Sequence, residues 1–116
     1  SRKNLEEIIG LYGCPPMEKV KENKFFDQIQ RASIDIHKLR NYGSAALDFA
    51  YVASGRADFA WYEHLKYWDY AAGKIILLEA GGTISDFTGK SFDKKNETYI
   101  SNSLIHDQVH KILFKN

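Results

Sequence analysis

The stretch GSAALDFAYVASGRADFAWYEHLKYWDYAAGKIILLEAGG, residues 43 to 82, changes its hydrophobic period twice, and those two changes decide the fold. Its first part sets Ala45, Ala46, Phe49, Ala50, Val52 and Ala53 at helical spacing. Small side chains there let a neighbour approach closely, and Gly55 is placed to end the helix in a left-handed C-cap. From Arg56 to Tyr62 the period shortens: Ala57, Phe59 and Trp61 alternate with Asp58 and Ala60, which is a strand signal. A further helix is expected from about Asp69 to Ala80, closed by Gly81 and Gly82.

Downstream, GTISDFTGKSF and ETYISNS read as two short strands around a turn at Asp86 to Gly89. LIHDQVHKILF reads as an amphipathic closing helix through Ile105, Val109, Ile112 and Leu113. Upstream, SIDIHKL, from Ser33 to Leu39, suits a short strand, and a helix is expected from Pro16 through MEKVKENKFFDQIQRA. Leu5, Ile8, Ile9 and Leu11 predict another helix from Asn4 to Leu11, with Asn4 as N-cap and Glu6 and Glu7 in the first turn, where the helix dipole favours negative charge. Alternating helices and strands predict an α/β layered domain.

The bulk properties bound the function. With 116 residues, 44% hydrophobic and 27% charged, the chain fits one globular domain, residues 1–116, with a small core. Sixteen basic residues against fifteen acidic ones leave a formal charge of +1, so nothing favours a nucleic-acid or membrane partner. The lone Cys14 cannot form an internal disulfide, and no apolar run reaches the roughly 18 residues of a membrane span, so a reducing, cytoplasmic setting is expected. The opening SRKNLEEIIG lacks an initiator methionine and a signal region, and the expectation is a piece of a longer protein.

Asp69, between Trp68 and Tyr70-Ala71-Ala72 at the head of an apolar run, is open to two readings. Asp is a favoured helix N-cap, worth about 1 kcal/mol, and local chemistry alone favours that role over metal ligation. His106 and His110, in HDQVH, share a helix face at i and i+4 as zinc ligands do. Asp107 is one methylene short of the usual general base and no third ligand is evident, so two solvated histidines on a polar face are expected. Cys14, in a Gly-Cys-Pro-Pro turn, has no neighbouring base in sequence and reads as a small structural residue. Ser44 lacks the elbow of a nucleophilic serine and reads, with Gly43, as a helix start whose N–H groups can serve a cap or a ligand.

Taken in order, Arg40, Gly43 to Asp48, Gly55-Arg56-Ala57-Asp58, Trp68-Asp69, Ala71-Ala72-Gly73 and Glu79-Ala80-Gly81-Gly82 resemble the C-terminal half of the inositol monophosphatase family of metal-dependent sugar phosphatases. The Trp-Asp-x-Ala-Ala-Gly to Gly-Gly element carries the resemblance most specifically. It implies a layered α/β fold with helices stacked on a mixed sheet, and a magnesium-dependent phosphate-monoester hydrolase, homodimeric at full length. Metal ions in such enzymes activate a water and bind the phosphate oxygens. By that resemblance Asp69 is a metal ligand, which reverses the local preference for a cap. Gly43, Ser44 and Ala45 then contact the alcohol portion of a small phosphorylated substrate, and Arg40 lies just before them.

Two departures from the family pattern carry consequences. The first-half motifs, a glutamate pair and Asp-Pro-x-Asp-Gly-Thr, supply most metal ligands, and this chain contains no Asp-Pro and no Asp-Gly. Magnesium keeps its waters unless several anionic ligands converge, so the ion requires ligands from the N-terminal half and this chain alone is expected to be inactive. The isolated chain is also expected to self-associate through apolar surface around the signature. Second, Tyr62 stands seven residues before Asp69, where many members place a glutamate against a substrate hydroxyl, with Glu63 beside it. Neighbouring strand residues point to opposite faces, so Glu63 is no simple substitute. The substrate is open to a phosphorylated alcohol, sugar or nucleotide, and a non-catalytic binding or assembly module on the same scaffold is the alternative.

Overall fold

A computed structural model describes residues 5–13, 24–36, 38–63, 65, 67–89 and 97–114, with the side chains of residues 24 and 67–69 outside that description. In chain order the elements are β1 (Ile9–Gly13), α1 (Lys24–Asp35), β2 (Lys38–Arg40), α2 (Ala45–Ser54), β3 (Phe59–Glu63), α3 (Tyr67–Glu79), β4 (Gly82–Ser85), β5 (Glu97–Asn102) and α4 (His106–Phe114). The strands form one mixed sheet in the order β2-β1-β3-β5-β4. β1 runs parallel to both β2 and β3, whereas β5 is antiparallel to β3 and to β4.

Helices cover both faces, which makes this the α/β layered domain expected from the alternating pattern. Phe59 and Trp61 point into a core shared with α1 and α4, where Phe25, Ala32, Val109 and Leu113 are buried. Ala60 and Tyr62 point the other way, into a core with Phe49 and Val52 of α2 and Leu77 of α3. β3 is therefore buried on both sides, and its apparent apolar/polar alternation is an alternation between two cores.

The same two-sidedness corrects the first helix. Residues 5–7 form a turn and Ile9–Gly13 is a strand, while Asn4 lies outside the described residues. Ile8 enters one core and Leu11 the other, so apolar residues recur without a strict period of two, and a short window of that kind mimics a helical stripe. Gly10 permits the close pairing, because a Cβ there would lie 2.2 Å from the Phe59 ring.

The strand expected over Ser33 to Leu39 is also shorter than read. Helix α1 continues through Asp35, and only Lys38–Arg40 pair with β1. Ala32 and Ile36 are both buried, and Ile36 N–H donates to Ala32 C=O at 2.7 Å, so the helical bond persists while Ile34 turns outward, 70% exposed. The part of the expected helix from Pro16 to residue 23, and Cys14, lie outside the described residues.

Elsewhere expectation and structure agree. Ser44 caps α2, its side chain accepting from Leu47 N–H, and Gly55 ends it at φ +84°. Asp86 and Gly89 close the turn after β4 through a Gly89 N–H to Asp86 C=O bond. One boundary differs: helix α3, expected from about Asp69 to Ala80, runs from Tyr67 to Glu79, so Asp69 is its third residue and not the cap that local chemistry favoured. No helix among the described residues is long and apolar enough to cross a membrane.

Candidate functional site

β1 and β3 are neighbours in the sheet, and the connection from β1 leaves through α1 towards β2 on one face, whereas the connection from β3 leaves through α3 towards β4 on the opposite face. Such a reversal leaves a crevice beyond the carboxyl ends of the strands, where open α/β sheets bind ligands. Four sequence candidates lie at that edge. The segment after β2 carries Gly43 and Ser44 into Ala45, the first residue of α2, and the segment after β3 carries the chain into α3 and Asp69. Gly43 has φ +78° with open space where a Cβ would stand, and Gly43 and Ser44 are exposed. An exposed helix start, with Leu47 N–H already bonded to the Ser44 hydroxyl and Gly43 N–H to Asn41 Oδ1, is therefore presented at the edge where the backbone brings Asp69.

Tyr62 and Glu63 are not brought together. β3 stays regular to its last residue, with Tyr62 opposite Thr98 and Glu63 opposite Glu97, so the two side chains leave on opposite faces. Tyr62 is only 4% exposed, and its ring stacks on Phe49 at 6.4 Å. Its hydroxyl donates a short hydrogen bond to Oδ2 of Asp48, which ties the end of β3 to the first turn of α2. Glu63 instead lines a cavity of about 610 Å³ on the other face, with Asp27, Arg31, Glu97 and His110.

Asp48 is the site-edge residue that sequence reasoning passed over. It is 1% exposed and its Oδ1 has no hydrogen-bond partner. Burial pushes its carboxyl up to about 6, against the opposing effect of the Tyr62 hydrogen bond. Burial, and then the neighbouring Asp48, push the Tyr62 hydroxyl well above the usual range, so it remains a donor. The signal in the sequence was a single charge inside the small, apolar AALDFAYVA run; buried carboxylates with raised pKa values concentrate at functional sites.

Arg40 belongs to a third place. It lines a pocket of about 310 Å³ with Tyr42, Tyr51 and Arg56, between the sheet edge and α2.

The two histidines correct another expectation. His106 is not solvated: one ring nitrogen shares a hydrogen bond with Ser101 Oγ and the other with Ser85 Oγ at 3.1 Å. Its ring stacks on Tyr99 at 4.2 Å, and burial pushes it down to about 4, against Asp107, which raises it. His110 bonds through Nε2 to the Phe87 carbonyl oxygen at 2.8 Å. Both rings face inward because α4 lies across β5, and the i, i+4 face that resembles a metal pair is the face turned to the sheet.

A magnesium ion needs several oxygen ligands converging on it. Among the described residues no group of three or more His, Cys, Asp or Glu side chains could hold a metal ion, so these residues by themselves do not fit the ion.

A model of the inositol monophosphatase family matches residues 3–115, and the chain belongs to that family. It is 43% identical over 111 residues to a fructose-1,6-bisphosphatase/inositol-1-monophosphatase of Thermotoga maritima, covering 95% of this chain and 41% of that protein. To an inositol-1-monophosphatase of Caulobacter vibrioides it is 32% identical, over 94% of this chain and 43% of that one. The crystal structure of the extragenic suppressor protein suhB from Bartonella henselae superposes with a TM-score of 0.88 at 29% identity, covering 100% of this chain and 45% of the other. The chain thus spans less than half the length of these relatives.

Proposed function

We propose that this chain is part of a magnesium-dependent phosphate-monoester hydrolase acting on a small phosphorylated alcohol, sugar or nucleotide. The observation that carries the reading is the shared carboxyl edge, where the Gly43–Ala45 helix start and the start of α3 with Asp69 adjoin the sheet's reversal point. Membership of a family whose relatives are named as phosphatases supports it. In this reading Asp69 is one ligand of the metal site, and the others come from the part of the relatives that this chain does not span. The Gly43–Ala45 segment receives the alcohol portion, with the N–H groups of Ser44 and Ala45 and the hydrogen of the Ser44 hydroxyl as donors. Tyr62, held by Asp48, closes the inner wall of that region instead of offering a carboxylate, which favours alcohols other than inositol.

The test uses the longer protein. Asp69→Asn should abolish magnesium-dependent release of phosphate, by about three orders of magnitude or more, while circular dichroism and the melting temperature stay near those of the parent. Turnover within a few fold of the parent would refute the assignment. The purified 116-residue chain should release no phosphate from the same esters; measurable magnesium-dependent turnover would show that the chain supplies a complete site.

A further inference from the structure

The pocket between the β1/β2 side of the sheet and α2 has a composition that the proposed hydrolase site does not use. Its floor is apolar, from Ile9 and Leu11, and its walls are Arg40, Arg56, Tyr42 and Tyr51, with no carboxylate among the described lining residues. Two arginines line one cavity of about 310 Å³, the lower end of the size range of small-molecule sites. Like charges lining one cavity repel, and an anion between them removes that repulsion.

The groups are also held in place. Arg40 Nη1 donates to the Leu39 carbonyl at 2.9 Å, which uses one of the five donors of its fork. The Arg56 guanidinium carbon lies 5.9 Å from the centroid of the Tyr51 ring, and Tyr51 meets Tyr42 edge to face at 5.6 Å. The rings thus form one aromatic wall with a guanidinium at its edge. Guanidinium forks match phosphate oxygens bidentately, and an aromatic wall over an apolar floor favours a flat or apolar body attached to the anion.

From these observations we infer that the Arg40/Arg56/Tyr42/Tyr51 pocket is a second binding site, for a phosphate monoester with a small apolar or aromatic body. The pocket is separate from the Gly43–Ala45 helix start but shares its loop through Tyr42, so an occupant fixes the loop that leads into that helix.

Phenylphosphonate is a suitable probe, since its carbon–phosphorus bond resists hydrolysis. Titrated into the ¹⁵N-labelled longer protein, it should give saturable shifts at the amides of Tyr42, Tyr51 and Arg56. Joint replacement Arg40→Gln and Arg56→Gln should weaken binding by about tenfold or more. Both side chains are exposed, and the Arg40→Lys/Arg56→Lys pair, which keeps charge but loses the forks, should fall between the two. Benzyl alcohol, neutral and of similar size, should produce no comparable saturation. The inference is overturned by an absence of saturable shifts, by shifts undiminished in the Gln pair, by equal binding of benzyl alcohol, or by shifts confined to residues 43–45.

Discussion

Asp48 and His106 hold ionisable groups in opposite kinds of misfit. Asp48 is raised from 3.8 to about 6, so the folded chain binds its proton more tightly than the unfolded one. The resulting cost is fully present above pH 6 and is relieved as pH falls from 6 towards 4. His106 is lowered from 6.5 to about 4, so the unfolded chain takes up the proton first, and stability is lost as pH falls from 6.5 towards 4. Each contribution is on the order of 2 kcal/mol, and over the shared window they oppose each other. Between pH 6.5 and 4.5 the melting temperature contributed by this pair should therefore change little in the parent chain. Asp48→Asn should raise the melting temperature at pH 7 and uncover a fall on acidification. His106→Gln should uncover the reverse slope, and an Asp48→Asn profile as flat as the parent's would contradict the buried, ionised Asp48.

At the scale of elements, α2 and α3 pack without the spacing that side chains usually impose. Gly73 of α3 faces Phe49 of α2, and a Cβ on Gly73 would lie 2.7 Å from that ring. Alanine favours a helix over glycine by about 1 kcal/mol, but overpacking costs about 1–3 kcal/mol, and here Phe49 is fully buried with nowhere to retreat. Gly73→Ala should therefore lower the denaturant midpoint; a higher midpoint would mean that α2 and α3 can separate at little cost. Elements with clear punctuation were legible beforehand: α2 between Ser44 and Gly55, the β4–β5 pair around its turn, and α4 with buried Val109 and Leu113. β1 was not, because a strand covered on both faces has no polar side to set its period. The end of α1 was not, because Ile34 is an apolar residue on an exposed surface, which broke the link between hydrophobicity and burial.

Across the whole molecule the two helical layers differ in their outer faces. Helix α4 exposes Asp107, Gln108 and Lys111. The α2/α3 layer exposes Leu47, Ile75, Ile76 and Leu78, with Ala46, Ala50 and Ala72 between them. Helices apolar on every side belong in the interior of a larger assembly. We expect the isolated chain to self-associate through this layer at high concentration, and Ile75→Lys with Leu78→Lys to return it to a monomer in sedimentation or light scattering. A parent chain that stays monomeric across the same range would count against this.

Much of the site was visible as residue types in order: Gly43-Ser44-Ala45 before an apolar helix, and Asp69 within Trp-Asp-Tyr-Ala-Ala-Gly. The sequence by itself determined the α/β alternation, the capped helix after Arg40 and the family, because these depend on local spacing and on residue identity. Only the tertiary structure decided that Tyr62 turns to Asp48 while Glu63 turns away, that Arg40 pairs in a pocket with Arg56, and that His106 faces the sheet. Those outcomes depend on which face each strand residue takes and on which distant helix covers it, and contacts between residues far apart along the chain leave no local period to read.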